Sequence, residues 1–324
     1  MNVKAASHTS DALKALHEYR GAYTDLRDLV RLRYAARELN AFEEHQTSNP
    51  LAGLLSSSFR GRGIDFAEVR AYQPGDDVRT IDWRVTARTQ SPHTKLFQEE
   101  KERPVLILVD QSASMYFGSR VTFKSVLAAR VAALVGWAAL DRGDRVGGIV
   151  FSELGHREVR PRRNKHAVLR LLNELNDANH ALSPERETPS TRYFNDALAN
   201  VRRVTKHGSM IFLISDFQSF MPESRIHLQT LARHNDVIGI HISDALEASL
   251  PPPDIYSITD GQQRARINTA SKANRQAYEA GFNQRLSDIK DEFLRVKAPL
   301  VTLRTDESIV DAINRSPGTK RRRK

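Results

Sequence analysis

The sequence VLILVDQSASMY, Val105–Tyr116, indicates how the chain folds. Val105–Val109 is an unbroken apolar run rich in β-branched residues, and it stops abruptly at Asp110. A long apolar stretch, Thr122–Leu140, follows and predicts a helix. This order is typical of a buried parallel strand, the loop at its carboxyl end and a crossover helix. Because ligands of open α/β sheets bind at the carboxyl ends of the strands, we expect a binding site at this loop.

The alternation of strands and helices continues along the rest of the chain. Further buried strands are predicted at Asp144–Ser152, Ser209–Ser215, Asp236–Ser243 and Pro299–Arg304, with helical patterns between them. His156–Arg160 predicts a short edge strand, and Leu250–Ile267 interrupts the alternation as an extension. Such alternation predicts an α/β fold with a doubly wound, mainly parallel sheet.

Two regions of different character precede the predicted sheet. The first is predicted to be helical, with arginines around an apolar stripe, and the second to be a small β unit in which Ile81–Val85 forms a strand. We therefore divide the chain into an N-terminal helical region with its linker (1–58), the small β unit (59–103), the α/β domain (104–316) and a disordered basic tail (317–324).

Composition excludes several classes of protein. The chain of 324 residues contains no cysteine, which excludes disulfides, thiolate metal sites and a cysteine nucleophile. Its N-terminus has no apolar signal core, and no apolar run is long enough to span a bilayer, so we expect a cytoplasmic protein without transmembrane segments. The formal net charge is +10, but half of it lies in Lys320–Lys324, so the basic balance is weak evidence for nucleic-acid binding.

Oxygen-bearing side chains follow the predicted buried strands. Asp110 and Asp216 each end such a strand, Ser112 and Ser114 follow the first, and the loop Ala181–Arg192 carries further hydroxyls. Carboxylates and hydroxyls together suit a hard cation such as Mg²⁺ or Mn²⁺. Neutral hydroxyls would leave the ion able to accept a carboxylate from a partner. This favours ligand capture rather than hydrolysis.

The run Asp110-Gln111-Ser112-Ala113-Ser114 resembles the D-x-S-x-S motif of von Willebrand factor A domains. The resemblance covers about 104–314 and implies a von Willebrand factor A-like fold and its metal-ion-dependent adhesion site. It also implies a threonine from a second loop and an aspartate from a third. The implied metal ligands are Asp110, Ser112, Ser114, Thr191 and Asp216. Ser190 and Thr188 are the alternatives for the second-loop position.

The segment before this domain has a second resemblance. Its residues Phe66, Val69-Arg70, Pro74-Gly75-Asp76-Asp77 and Ile81-Asp82-Trp83 are similar to a bacterial family known only as a domain of unknown function. Members carry this module directly before an A domain and are commonly encoded beside MoxR-type AAA+ ATPases. The resemblance implies an adaptor for such an ATPase in the maturation or remodelling of client proteins.

We therefore expect a non-enzymatic, metal-dependent protein-interaction module that binds an aspartate or glutamate of its partner. One alternative is a magnesium-dependent hydrolase that uses the strand-end aspartates, although Ser112 stands where such phosphoryl-transfer enzymes usually have a second aspartate. Another is a protein that associates with nucleic acid through its basic tail. No base-reading module accompanies that tail, so we expect no specific nucleic-acid partner.

Overall fold

The computed structural model describes residues 21–43, 62–73, 81–100, 103–181, 192–259 and 264–309. Its contacts divide the chain into two compact units. One consists of Met1–Ser58 with Pro104–Lys324, and the other of Phe59–Arg103. Among the described residues, no helix combines the length and the apolar character needed to cross a membrane.

Helices and strands alternate through most of the described residues, as the sequence predicts. In chain order they are α1 (Leu26–Glu43), β1 (Arg62–Ala71), α2 (Trp83–Thr89), β2 (His93–Glu100), β3 (Pro104–Asp110), α3 (Lys124–Asp141), β4 (Arg145–Ser152), β5 (Gly155–Arg162), α4 (Lys165–His180), α5 (Tyr193–Val204), β6 (Met210–Ser215), α6 (Pro222–His234), β7 (Asp236–Ser243), α7 (Ala245–Ala248), β8 (Ile255–Thr259), β9 (Arg264–Asn268), α8 (Lys272–Arg295) and β10 (Leu300–Arg304). A 3₁₀ turn, Ala113–Met115, lies between β3 and α3.

Six of the described strands form the central sheet, in the order β10-β7-β6-β3-β4-β5. Neighbours are parallel except for β4 and β5, which are antiparallel and place β5 at the edge. Counted along the chain, this is the 3-2-1-4-5-6 order of doubly wound sheets, and the order reverses between β3 and β6. The predicted fold class, a doubly wound and mainly parallel sheet, is confirmed. The reversal point is where such folds bind ligands.

The core explains why β3 and α3 have continuous apolar sequences. Val105–Val109 is buried along its whole length because parallel strands are covered on both faces. In α3, every residue from Lys124 to Ala139 is buried, since the helix packs on the sheet and is itself covered by α1 and α4. A helix buried on all sides needs no polar face, which is why its sequence lacks amphipathic periodicity.

Helix α1 belongs to the packing of the sheet unit. Leu29, Leu32, Ala35 and Ala36 form a buried stripe at helical spacing, and α1 packs on α3. The Nε1 of Trp137 donates a hydrogen bond to the carbonyl oxygen of Leu29, 3.1 Å away. We expected a separate N-terminal helical region, but the described part of it contributes to the core. The domain boundary at residue 58 stays a prediction, because residues 44–61 lie outside the described part.

The described part of the smaller unit contains one antiparallel pair and one short helix. Strands β1 and β2 pair along Arg62–Glu100 to Ala71–His93. The strand predicted at Ile81–Val85 is wrong, because helix α2 begins at Trp83. Asp82 explains the difference: its Oδ1 accepts hydrogen bonds from the backbone N–H groups of Arg84 (3.0 Å) and Val85 (3.2 Å). This N-cap outweighs the alternating pattern. The Pro74-Gly75-Asp76-Asp77 part of the family resemblance lies outside the described residues.

The extension expected between β7 and the long helix is a β-hairpin. Strands β8 and β9 pair antiparallel, from Ile255–Asn268 to Thr259–Arg264. Helix α8 follows after a cap by Ser271, whose hydroxyl accepts a hydrogen bond from the N–H of Asn274. Because the hairpin pairs with itself, it does not interrupt the parallel order of β7 and β10.

The packing of α1 predicts that Leu32→Ala destabilises the chain by about 2–5 kcal/mol, because it leaves a cavity against α3. Arg31→Ala is the matched control, since that side chain is 72% exposed, and we expect a change within about 0.5 kcal/mol. Urea unfolding of both variants measures the difference. Equal stabilities would show that α1 is not part of the cooperative core.

Candidate functional site

The candidate site lies where the strand order reverses, at the carboxyl ends of β3 and β6. Val109 is paired with Ile214, so the residues that follow these strands emerge side by side. Asp110 is the last residue of β3 and is 1% exposed. Asp216 follows β6 directly and is also buried. The two aspartates interact electrostatically, so the sequence-predicted pair is brought together at one edge of the sheet.

The first loop holds its two serines close to Asp110. The backbone N–H of Ser112 donates a hydrogen bond to Asp110 Oδ1, 2.9 Å away. The hydroxyl oxygens of Ser112 and Ser114 lie 3.3 Å apart. The 3₁₀ turn begins here, and the N–H of Ala113 donates to Glu153 Oε1 at 2.7 Å. One carboxylate and two hydroxyls are therefore gathered within a single turn.

The third loop contributes a residue that the sequence interpretation missed. Ser215 is the last residue of β6, and its hydroxyl donates a hydrogen bond to Asp110 Oδ2 at 2.6 Å. The same hydroxyl oxygen accepts a hydrogen bond from the N–H of Phe217. Phe217 has φ +54°, a left-handed conformation that is uncommon for a bulky residue. The site thus contains local backbone strain, which is frequent where a loop positions functional groups.

A buried lysine is the second residue that sequence reasoning missed. The Nζ of Lys124 lies 2.7 Å from Asp216 Oδ2 and 2.5 Å from Glu247 Oε1. We call these three residues the ion cluster. Burial alone would lower the pKa of Lys124, but the charges of Asp216 and Glu247 outweigh it and the pKa is raised. The sequence feature that could have indicated this buried lysine is its place at the first position of an otherwise apolar helix.

Among the residues that the structure describes, no cation contributes to the electrostatics of Asp110. Burial, and then the negative charge of Asp216, raise the pKa of Asp110 to about 7. The hydrogen bonds from Ser112 and Ser215 oppose this shift but do not cancel it. The pKa of Tyr193 is raised to about 12, first by burial and then by the charge of Asp110. The phenol of this first residue of α5 therefore belongs to the same environment.

The charges around the site do not balance. Asp110, Asp216 and Glu247 contribute three negative charges when ionised, and Lys124 contributes one positive charge, which leaves −2. Within the parts of the chain that the structure describes, no group of three or more histidine, cysteine, aspartate or glutamate side chains is arranged to hold a metal ion. A cation here would have to use hydroxyl oxygens as well as carboxylates, which Mg²⁺ and Mn²⁺ accept.

Four of the five predicted ligands can be placed in the structure. Asp110, Ser112, Ser114 and Asp216 lie at one edge of the sheet, on the first and third loops. Thr191 and its alternatives, Ser190 and Thr188, lie outside the described residues. The second-loop ligand therefore stays a prediction, as does metal binding by the other four.

Comparison with models of known protein families assigns the chain to one of them. The family model described as "Protein of unknown function DUF58" matches residues 68–287. The chain belongs to the DUF58 family. The predicted membership of a family of unknown function, which rested on the segment before the sheet, is confirmed. The association with MoxR-type ATPases stays a prediction.

Individual relatives extend over most of this DUF58 chain. The uncharacterized protein Rv1480 of Mycobacterium tuberculosis is 28% identical over 299 residues, which cover 91% of this chain and 92% of that protein. Among solved structures, BatB of Bacteroides thetaiotaomicron is 16% identical with a TM-score of 0.38, and covers 66% of this chain and 96% of its own. A von Willebrand factor type A protein of Catenulispora acidiphila is 19% identical with a TM-score of 0.30, covering 45% and 34%.

The ion cluster predicts a large stability effect for Lys124→Met. The substitution keeps the length of the side chain but leaves two carboxylates without their cation, so we expect a loss of about 3–5 kcal/mol in urea unfolding. Adding Asp216→Asn to that variant should recover part of the loss, because one uncompensated charge is removed. Lys272→Met, at an exposed position, is the control. A Lys124→Met variant as stable as this control would contradict the cluster's role.

The raised pKa of Asp110 predicts an unusual pH dependence for the metal-free chain. The folded state binds a proton at Asp110 between about pH 4 and pH 7, whereas the unfolded state does not, so this group makes the chain less stable as the pH rises. Urea unfolding in EDTA at about pH 5.5 and about pH 8 measures the effect. In Asp110→Asn this component should vanish. An identical pH dependence in both proteins would contradict the assignment.

Proposed function

We propose that this DUF58 chain is a non-enzymatic protein-interaction module that depends on a divalent cation. Asp110, Ser112, Ser114 and Asp216 would hold Mg²⁺ or Mn²⁺, with Thr191 as the ligand expected from the second loop. The bound cation would attract an aspartate or glutamate side chain of the partner protein. By the resemblance of its sequence, the partner is a MoxR-type AAA+ ATPase, for which the chain acts as an adaptor in maturation or remodelling of client proteins.

The burial of two neighbouring carboxylates, Asp110 and Asp216, at the ends of β3 and β6 is the observation that carries this proposal. Two carboxylates buried next to each other are unfavourable in the absence of a cation, as the raised pKa of Asp110 indicates. The hydroxyls of Ser112 and Ser114 stand beside them and add neutral oxygen ligands. A divalent cation would neutralise the excess charge and match the donor chemistry of these side chains.

The ion cluster supports a binding role for the cation. Lys124 already matches the charge of Asp216, so this carboxylate neutralises less of the charge of a nearby metal ion. Asp110 is then the carboxylate without an internal counter-ion. More positive charge remains available to a carboxylate from outside the chain, which fits capture of an acidic side chain.

The hydrogen bonds of Asp110 favour this role over phosphoryl transfer. Its Oδ1 accepts from the N–H of Ser112 and its Oδ2 accepts from the hydroxyl of Ser215. With 1% exposure, the carboxylate has little room to attack a phosphorus atom in line. The position two residues later, which such hydrolases usually fill with an acid, is occupied by Ser112.

The test combines metal binding with partner capture by the full-length chain. Calorimetry with Mg²⁺ measures binding to the wild type and to Asp110→Asn, and co-purification with a MoxR-type ATPase is measured in Mg²⁺ and in EDTA. We expect Asp110→Asn and EDTA each to abolish capture, because both remove the cation that bridges the two proteins. Asp177→Asn, at an exposed position of α4, is the matched control and should behave as wild type.

Three results would contradict different parts of the proposal. Capture that survives both EDTA and Asp110→Asn would show that the interaction does not use a metal ion. Absence of Mg²⁺ or Mn²⁺ binding by the wild type would refute the metal site. Release of phosphate from an aryl phosphate, dependent on Mg²⁺ and lost in Asp110→Asn, would favour the hydrolase alternative.

A further inference from the structure

Positive charge is concentrated in one short segment far from the candidate metal site. Between Arg157 and Arg170 the chain carries six arginines and lysines and one glutamate, a net charge of +5. The basic run Lys320–Lys324 carries another +5, and the net charge of the whole chain is +10. All other residues together are therefore neutral.

The segment forms one side of a cleft of about 560 Å³ between β5 and the start of α4. Arg160 and Arg162 lie on β5, and both line the cleft. His166 and Arg170 are four positions apart on α4, so they share one face of the helix. We call these four residues the cationic cleft. Two rows of basic side chains border it, one from a strand and one from a helix.

The acidic residues that the structure places beside the cationic cleft do not neutralise it. Glu158 lines it but already accepts a hydrogen bond from Arg203, at 3.2 Å, and lies 3.9 Å from Arg160. Arg170 is 3.9 Å from Glu174, an exposed pair of small energetic value. The side chains of Arg160 and Arg170 are 84% and 67% exposed. Their charges are therefore available to a ligand.

The cleft lies at the opposite end of the sheet from Asp110. Asp110 is registered with Phe151 near the end of β4, whereas Arg162 is registered with Val146 near its beginning. A partner bound at the cationic cleft would therefore not occupy the candidate metal site. The inference that follows stands independently of the metal.

We propose that the cationic cleft binds an extended, acidic segment of a partner protein. Strand β5 is the edge of the central sheet, and an edge strand offers backbone hydrogen bonds to an added peptide strand. The alternating arginines of β5 and the basic face of α4 would then contact acidic side chains of that peptide. The basic side chains would favour a peptide that carries acidic residues. Pairing with the edge strand would favour an extended conformation of that peptide.

A peptide fits this surface better than nucleic acid does. Among the described residues that line the cleft, no phenylalanine, tyrosine or tryptophan side chain offers a platform on which a base would stack. The backbone groups along the edge of β5 also match a peptide and have no counterpart in DNA. Charged residues on an edge strand often serve only to prevent unwanted pairing, which is the competing explanation.

The experiment measures binding of a fluorescein-labelled oligoglutamate peptide to the full chain by anisotropy. In the cleft variant, Arg160, Arg162 and Arg170 are replaced by glutamine. The matched control replaces Arg233, Arg266 and Lys272, three exposed basic residues elsewhere, by glutamine and so has the same net charge. We expect the cleft variant to bind at least about tenfold more weakly than wild type, and the control to stay within about twofold. Circular dichroism verifies that both variants fold.

Two outcomes would overturn the proposal. If the cleft variant and the control lose affinity for the peptide by the same factor, peptide binding depends only on the net charge of the chain. The arginines would then serve to protect the edge strand from unwanted pairing. A labelled DNA duplex is measured in parallel. If the cleft variant loses affinity for the duplex but not for oligoglutamate, and the control keeps its affinity for both, the surface binds nucleic acid. All of these measurements are made in EDTA, so that oligoglutamate cannot bind through a divalent cation, which separates this surface from the proposed metal site.

Discussion

The burial of charged groups at the carboxyl end of the sheet is the constraint on which the local structure depends. Lys124 enters the interior as the first residue of an apolar helix, and such a charge is stable there only with well-placed partners. Asp216 and Glu247 supply them. Glu247 is held in turn, because its Oε2 accepts a hydrogen bond from the N–H of Asp244 at 2.9 Å. The ion cluster therefore joins the start of α3, the third loop and α7.

Asp244 and Asp110 show how differently the same fold treats two buried carboxylates at strand ends. Burial would raise the pKa of Asp244, but hydrogen bonds from Ser119, Thr305 and Leu246 outweigh it and the pKa is lowered. Asp110 also accepts hydrogen bonds, yet burial and the charge of Asp216 prevail and its pKa is raised. The chain's own hydrogen bonds thus stabilise the ionised form of Asp244, whereas the ionised form of Asp110 would need a cation to stabilise it.

The sequence predicts the fold and much of the site because both depend on local patterns. The apolar run before Asp110 identifies β3, and its neighbour β6 brings Asp216 to the same edge. Lys124 was missed because a lysine at a helix start is usually solvent-exposed, and only tertiary packing places it between two acids. At Asp82 a capping hydrogen bond overrode an alternating pattern, which composition alone does not reveal. The sequence also shows the apolar stripe of α1, but not that this stripe packs on α3.

The charge distribution gives the two ends of the sheet opposite electrostatic characters. Excess negative charge collects around Asp110, where carboxylates outnumber the single cation Lys124. Excess positive charge collects at Arg160, Arg162 and Arg170, where the nearby acids already have partners. If carboxylates are the ligands at both ends, the end at Asp110 needs a bound cation to attract them. The end at Arg160, Arg162 and Arg170 does not. Chelation would then release a partner from the first end and leave the second end able to hold it, so the two contacts are separable by chemistry as well as by position.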